Sequence, residues 1–442
     1  MTKKFFLTLF ALMPFVAFAQ TPFSLRECID YGLKNNRNNV IYANDRKAAD
    51  AKAREALAAY LPGVSLTGTF DDNLKVQQTV IPAGVFGPED VRVAFTKQFN
   101  TNGTAQLDQT IYDQSLLIGL QANKYNKQQA TLNLEQNEET LIYNISNAYY
   151  QIFVYREQLA LLASNQLNYH RQMEVIQLQV SKGVTLQKDL DKVTVDYNNV
   201  VSQTRVAESN LILSENQLKY EMGYPIKDSI RVDSTAANNM IRIVAVNQSP
   251  FSLNTRIDYQ LSQVNAKMLE IDQRRIKAGA YPKLTGYARY GAVGFGDHLG
   301  ESFSTLNSFS AVGLKLSIPI LNFYKRNAEY NQARFKYLNA QEQLKLDEGK
   351  YELQFENART KMLKEQVNVE NNRRNIELAQ SVFQTTNLQY EKGTTDLTDW
   401  LNAQNSIKEA QNNYLNSLYN FFQARLDLEK ANGTLKIFYT GL

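Results

Sequence analysis

Residues 141–183 read LIYNISNAYYQIFVYREQLALLASNQLNYHRQMEVIQLQVSKG, and this stretch decides the fold. Positions 141, 145, 148, 152, 155, 159, 162, 169, 173, 176 and 180 hold Leu, Ile, Ala, Ile, Tyr, Leu, Leu, Tyr, Met, Ile and Val. The spacing alternates between four and three and skips only Gln166. It is a 3.5-residue seam held for more than five heptads. A strict seven-residue repeat implies helices wound in a left-handed supercoil. Lys182-Gly183 then ends the helix, with glycine just past the last seam residue. Leu186, Leu190, Val193, Tyr197, Val200, Ala207, Leu211 and Leu218 form a return seam. The pattern predicts an antiparallel hairpin: a helix over 114–181, a tip at 182–185 and a return over 186–222. At ~1.5 Å per residue the first helix would be about 100 Å long, more than a globular domain can bury. A soluble coiled-coil filament would use the same rod.

The chain is also written twice. Pro22-Phe23-Ser24-Leu25 returns as Pro250-Phe251-Ser252-Leu253, an offset of 228. Pro62 returns as Pro282 (220), Lys182-Gly183 as Lys392-Gly393 (210), and Gly223 as Gly433 (210). The falling offset implies longer segments in the first copy, expected mainly around residues 72–101. Each half has the order helix, strand, loop, strand, very long helix, tip, helix. The first repeat is expected over 20–223 and the second over 250–442, with a long helix at about 322–391, a tip at 392–395 and a return helix at 396–432. The linker 224–249 is polar and holds extended candidates at 230–232 and 241–246. The seam of the second long helix reads Phe355, Ala358, Met362, Glu365, Val369, Asn372, Ile376, Ala379, Phe383, Thr386 and Tyr390, the same register with polar interruptions.

Between the short and the long helix of each half the period becomes two, which predicts strands at about 64–80, 91–111, 283–295 and 309–319. Val64, Leu66, Gly68 and Phe70 alternate with Ser65, Thr67 and Thr69, and Val312, Leu314 and Leu316 with Ala311, Gly313 and Lys315. An apolar face opposed to one holding Asp108, Arg289 and Lys315 fits a lipid-facing wall around a wet lumen. Half-buried strands of a soluble sandwich alternate in the same way. Four strands cannot close a barrel, and open edges do not occur in hydrocarbon, so several chains must contribute. Two chains give eight strands, whose interior side chains fill. Three give twelve, with room for a conduit. The pattern favours more than two copies without fixing three.

Residues 1–19 have the form of a signal peptide: Lys3-Lys4, an apolar run, and Ala17-Phe18-Ala19. Beyond residue 20 no stretch has the apolar length of a membrane-spanning helix. A net charge of +4 is too small to imply a nucleic-acid partner. Cys28 is the only cysteine, so no internal disulfide forms, and it is expected as a buried side chain on the first helix. His170 and His298 lack metal-ligand spacing, and no phosphate loop or nucleophile elbow appears. No cofactor, metal site or catalytic residue is expected.

Several segments resemble the TolC-type outer-membrane efflux proteins. They are Ala58-Ala59-Tyr60-Leu61-Pro62-Gly63-Val64, Leu107-Asp108-Gln109-Thr110-Ile111-Tyr112-Asp113, Ile318-Pro319-Ile320-Leu321-Asn322, Tyr390-Glu391-Lys392-Gly393-Thr394-Thr395-Asp396-Leu397-Thr398-Asp399 and Leu401-Asn402-Ala403-Gln404. The resemblance implies a mainly α chain with a small β part, forming a homotrimer with a 12-stranded barrel in outer-membrane lipid and a helical coiled-coil tunnel in the periplasm. It also implies a passive exit duct that docks with a periplasmic adaptor protein and an inner-membrane transporter. On the family's pattern Tyr390 ends the second long helix at the entrance, and the constricting aspartates map to Asp399 and Asn402, so one carboxylate is missing. A family arginine maps to Thr395, and its partners map to Lys188 and Asp189. The resemblance therefore leaves Tyr390–Asp189 and Lys188–Asp399 as substitute contacts. Adaptor docking maps to Lys182, Gly183, Val184, Lys392, Gly393 and Thr394. The competing classes are a structural or adhesive coiled-coil envelope protein and the periplasmic adaptor itself, which would carry one hairpin rather than two.

Overall fold

Scarce glycine and proline leave the backbone free to run in long helices, and a few glycines decide where those helices stop. The computed structural model describes residues 22–85, 87–233 and 250–442. The signal segment 1–19 and the extended candidate at 241–246 lie outside the described residues. In chain order the elements are α1 (Leu25–Asn35), α2 (Arg37–Ala58), β1 (Gly63–Asp72), β2 (Thr79–Ile81), β3 (Val91–Val93), β4 (Phe99–Asp113), α3 (Gln114–Leu120), α4 (Ala122–Ser181) and α5 (Gln187–Met222). A 3-10 turn (Leu253–Thr255) opens the second half. It is followed by α6 (Ile257–Ala278), β5 (Lys283–Gly296), α7 (Glu301–Ser304), β6 (Leu306–Ser317), α8 (Lys325–Glu391), α9 (Leu397–Asn432) and α10 (Leu435–Thr440). The chain divides into two compact units. One draws its described residues from 1–42, 134–258 and 347–442, and the other from 43–133 and 259–346.

In the helical unit α4, α5, α8 and α9 all end on a glycine in the left-handed region: Gly183, Gly223, Gly393 and Gly433, with φ of 69–70°. Each end closes with the same pair of bonds. Gly183 N donates to Val180 O (3.0 Å) and Val184 N to Gln179 O (2.9 Å), and Gly393 N donates to Tyr390 O (2.9 Å) and Thr394 N to Gln389 O (2.9 Å). Gly223 and Gly433 repeat the pattern. These are Schellman stops, which satisfy carbonyls that the helix leaves open. Gly223 and Gly433 have a second duty. A Cβ on Gly223 would lie 2.8 Å from Asn35 O, and one on Gly433 2.8 Å from Thr255 O. Asn35 and Thr255 are 220 apart, so the packing is duplicated together with the sequence.

The loss falls in two places. The offset drops from 228 to 220 before the first strand, because the 11-residue α1 is reduced to the 3-10 turn in the second copy. The larger step, from 220 to 210, comes after Pro62, in the stretch that holds the loop around 72–101. The predicted strand 64–80 also stops early. β1 ends at Asp72, and β2 and β3 pair with each other as a separate ribbon. Asp71-Asp72-Asn73 and the Pro82–Gly84 turn interrupt the alternation there. The predicted helix 114–181 has a break at Gln121, just past Gly119, where Gln121 N donates to Ile118 O. β6 begins at Leu306 and ends at Ser317, two residues before Pro319, which has no N–H for a ladder.

The seam residues are the core. Leu141, Ile145, Ala148 and Ile152 lie in one apolar cluster with Leu418, Phe421 and Phe422 of α9. Tyr150 stacks on Phe422 with ring centroids 4.4 Å apart. Leu162, Tyr169 and Ile176 lie in a second cluster with Leu190, Val193, Phe383 and Trp400. Asn165 is also buried, and it is paired on both sides: its Nδ2 donates to Gln411 Oε1 (2.7 Å), and its Oδ1 accepts from Gln404 Nε2 (3.2 Å). The Ser24–Glu27 capping box starts α1, and Cys28 beneath it is fully buried. Burial pushes its thiol up to about 12, which makes it an inert core side chain. Val232, from the extended candidate 230–232, forms a parallel bridge with Phe23.

In the sheet unit the four long strands form one antiparallel sheet in the order β1-β4-β5-β6. The two β-hairpins meet along β4 and β5, whose register runs from Phe99↔Gly296 to Asp113↔Lys283 with a bulge near Ile111.

The two kinds of glycine stop separate in a stability measurement. Gly183→Ala, with open space around its Cβ, meets only the backbone penalty of about 1–2 kcal/mol. Gly223→Ala adds an overpacking term of about 1–3 kcal/mol, so denaturant midpoints should fall clearly further for Gly223→Ala.

Candidate functional site

Strand register decides which side chains share a side of the sheet. Directly opposed residues lie on one face, and neighbours in sequence on opposite faces. Asp108 pairs with Gly63 and Tyr287, Arg289 with Gln106 and Ala311, and Lys315 with Thr285. These pairings put Asp108, Arg289 and Lys315 on one face, together with Ser65, Thr67, Thr69, Gln106 and Thr285. Gln106 Nε2 donates to Asp108 at 2.9 Å, and the Arg289 guanidinium lies 6.0 Å from the centre of the Phe309 ring. The opposite face carries Val64, Leu66, Leu107, Tyr290, Val312, Leu314 and Leu316. This face is apolar and open: Leu66 is 81% and Val312 86% exposed. A soluble sandwich would cover such a face, and an apolar solvent would not need to. The outer edges of β1 and β6 have no partner strand among the described residues.

The tips are the second candidate. Lys182, Gly183, Val184, Lys392, Gly393 and Thr394 are all exposed, with glycine making each turn possible. The resemblance placed Tyr390 against Asp189, and the structure places its hydroxyl elsewhere. Tyr390 Oη donates to Gln179 Oε1 at 3.4 Å. Asp189 instead accepts from Thr185 Oγ1 (3.2 Å) and Lys192 Nζ (3.3 Å). Burial holds the Tyr390 phenol above its ordinary range, the Asp189 charge adds to this, and bonds to Gln172 and Gln179 oppose it. Lys188 and Asp399 form no ion pair among the described residues. Asp399 Oδ2 accepts from Thr395 Oγ1 at 2.6 Å, and Asp396 caps the Asp399 amide at 2.9 Å. Asn402 is exposed on the same helix.

The Thr185–Asp189 and Thr395–Asp399 bonds are one motif used twice. The T-x-x-x-D spacing recurs at an offset of 210, a signal the sequence carried and the seam pattern alone did not reveal. Behind the second tip Trp400 packs edge-on against Tyr169 and Phe383. Its indole N–H donates to Asn387 Oδ1 at 2.8 Å. His170 is exposed, 3.6 Å from Glu174.

Comparison with known proteins bears on this geometry directly. Residues 255–434 match the family model described as "Outer membrane efflux protein". Outer membrane protein TolC of Escherichia coli is 23% identical over 414 residues, covering 89% of this chain and 78% of its own. TolC of Salmonella enteritidis is 22% identical over 408 residues, with the same coverage. Residues 255–434 match an outer-membrane efflux protein domain, and the chain is similar to TolC over 89% of its length. Its fold is that of the Campylobacter jejuni CmeC outer membrane channel (TM-score 0.76, 14% identity, 93% of this chain and 85% of that one). It is equally that of CusC (TM-score 0.75, 15% identity, 92% and 91%). The family match and the TolC relatives, rather than the structural likeness, mark the chain as an outer-membrane efflux channel rather than an enzyme.

Two adjacent residues of β6 test the faces. Val312→Arg places a charge in hydrocarbon and should cost about 2–4 kcal/mol of stability in bilayers near the midplane. Ala311→Arg, on the opposite face, should cost much less in the same unfolding titration.

Proposed function

We propose that three copies of this chain close a twelve-stranded barrel, with Asp108, Arg289 and Lys315 in its lumen. In this reading the helical hairpins line a tunnel in the periplasm. The duct is passive. It receives cargo from an inner-membrane transporter through a periplasmic adaptor, as the outer-membrane part of a tripartite efflux or type I secretion system. The observation that carries the reading is the pair of unpartnered sheet edges beside an exposed apolar face. In hydrocarbon each unpaired backbone group costs several kcal/mol, and only sister strands can supply the bonds while leaving a hole. Two copies would give a barrel too narrow to conduct.

The periplasmic entrance in this reading is built from Tyr390, Asp399, Asn402, Asp189, Lys188 and Thr395. The adaptor meets the tips at Lys182, Gly183, Val184, Lys392, Gly393 and Thr394. The tip glycines favour this docking surface, since nothing lies within 4 Å of a Cβ built on Gly183 or Gly393. A second helical tip can approach the bare backbone there.

Two measurements bear on the assembly and the docking. Unheated detergent extracts should run as a trimer that collapses to monomer on heating. A monodisperse monomer in detergent-free buffer would remove the basis for a shared barrel. Gly393→Trp should abolish capture of the adaptor from envelope extracts while leaving the trimer band intact. Undiminished capture would move the docking surface away from the tips.

A further inference from the structure

The two repeats differ at the strand-to-helix junction. In the first, Asp113 ends β4 and caps α3 at once, its Oδ1 accepting from Leu116 N at 3.0 Å. In the second, residues 318–324 intervene between Ser317 of β6 and Lys325 of α8. Their sequence is Ile-Pro-Ile-Leu-Asn-Phe-Tyr, and it is turned outward rather than packed. Ile320, Phe323 and Tyr324 are 90%, 83% and 87% exposed. Phe323 has φ 35°, the one non-glycine residue with positive φ among the described residues. A bulky residue in that conformation is an outlier, and it stands where the two aromatic rings are displayed. Lys325 N closes a turn on Asn322 O (3.0 Å), and Arg326 Nη2 donates to Pro319 O (3.2 Å), so the segment is held by its own bonds.

The order of chemistry along the segment matters as much as its exposure. The apolar side of β6, Val312, Leu314 and Leu316, continues in the same alternation to Ile318 and Ile320. Phe323 and Tyr324 come next, then Lys325 and Arg326. Aliphatic, aromatic and cationic groups in that sequence match a bilayer read outward from acyl chains through the interface to the phosphates.

We propose that residues 318–326 form a lipid anchor at the membrane interface on the helical side of the barrel. Ile318, Ile320 and Leu321 enter the acyl chains, and Phe323 and Tyr324 lie at the level of the lipid esters. Lys325 and Arg326 meet anionic phospholipid headgroups. The occupant is the bilayer because the segment extends the apolar, exposed face of β6. The anchor rests on the membrane location of β6 but not on the number of copies. Its role is to fix the depth of the barrel.

The test uses the full-length protein in vesicles of phosphatidylethanolamine and phosphatidylglycerol carrying lipids brominated either near the ester or near the chain end. Trp400 is the only native tryptophan and is buried, so the unsubstituted protein supplies the background. The Phe323→Trp variant should lose emission mainly to ester-level bromine, and Leu314→Trp mainly to chain-end bromine. Tyr324→Trp should follow Phe323→Trp and serves where the strained position does not accept indole. Quenching of Leu314→Trp alone overturns the anchor and leaves the lipid-facing sheet standing. Quenching of none of the three overturns both. Cross-linking of a Tyr324→Cys variant to a second copy, without lipid quenching, assigns the segment to a subunit contact and also overturns the anchor.

Discussion

Everything in the sheet unit follows from one constraint: a backbone amide in hydrocarbon must be paired, and the sheet leaves two edges unpaired. β1 alone is 10 residues long, and roughly half of its N–H and C=O groups point away from β4. Left open in lipid, they would cost tens of kcal/mol, far above the stability of any domain. A chain with this sheet in a membrane is therefore a fragment by construction. The β4–β5 junction shows how the fragment is joined. The two hairpins come from different repeats, yet they meet along the longest register in the sheet, so duplication within the chain supplies one seam of the proposed barrel. In the proposed barrel the other seams come from other chains by the same antiparallel pairing.

The helical unit solves a different problem, that of holding long hairpins in register without disulfides or a globular core. Heptad spacing specifies which side of a helix is buried but tolerates slips of seven. The buried amides remove that tolerance. Asn165 of the first repeat is bonded to both Gln404 and Gln411 of the second, and a slip of one heptad would leave these groups buried and unpaired. Apolar residues there would add more burial and less specificity. The aromatic stack of Tyr150 on Phe422 and the Tyr169–Trp400–Phe383 group fix the same alignment from either side by shape.

Much of this was legible in the sequence because it is periodic. Leu141, Ile145, Ile152, Tyr169 and Ile176 were picked out by spacing alone and are fully or nearly fully buried. Asp108, Arg289 and Lys315 were assigned a common face by alternation, and the register gives them one. The parts that differed are those where no period operates. The β2–β3 ribbon sits in a polar, proline-interrupted stretch, and the reduction of α1 to a 3-10 turn leaves no trace in hydropathy. The Tyr390 contact differed for another reason. Its position was inferred from a pattern of partners, but a phenol at the end of a helix takes whichever acceptor the neighbouring helix presents, and that is Gln179.

The tips then follow a consistent chemical logic. Asp189 and Asp399 each receive a hydroxyl from the threonine four residues earlier, and this local bond occupies an oxygen that a distant cation would otherwise claim. A threonine–aspartate bond within one turn is short-range and holds its geometry as salt rises, whereas an exposed ion pair between helices weakens as counterions screen it. In the proposed duct the hairpin ends would therefore be held less by charge and more by packing around Trp400 and by the amide bonds behind it. Opening such an entrance means disturbing apolar and aromatic contacts, which resist changes in ionic strength but yield to a partner that offers competing helical surface. That places control of the entrance with whatever docks on the tips rather than with the ionic composition of the medium.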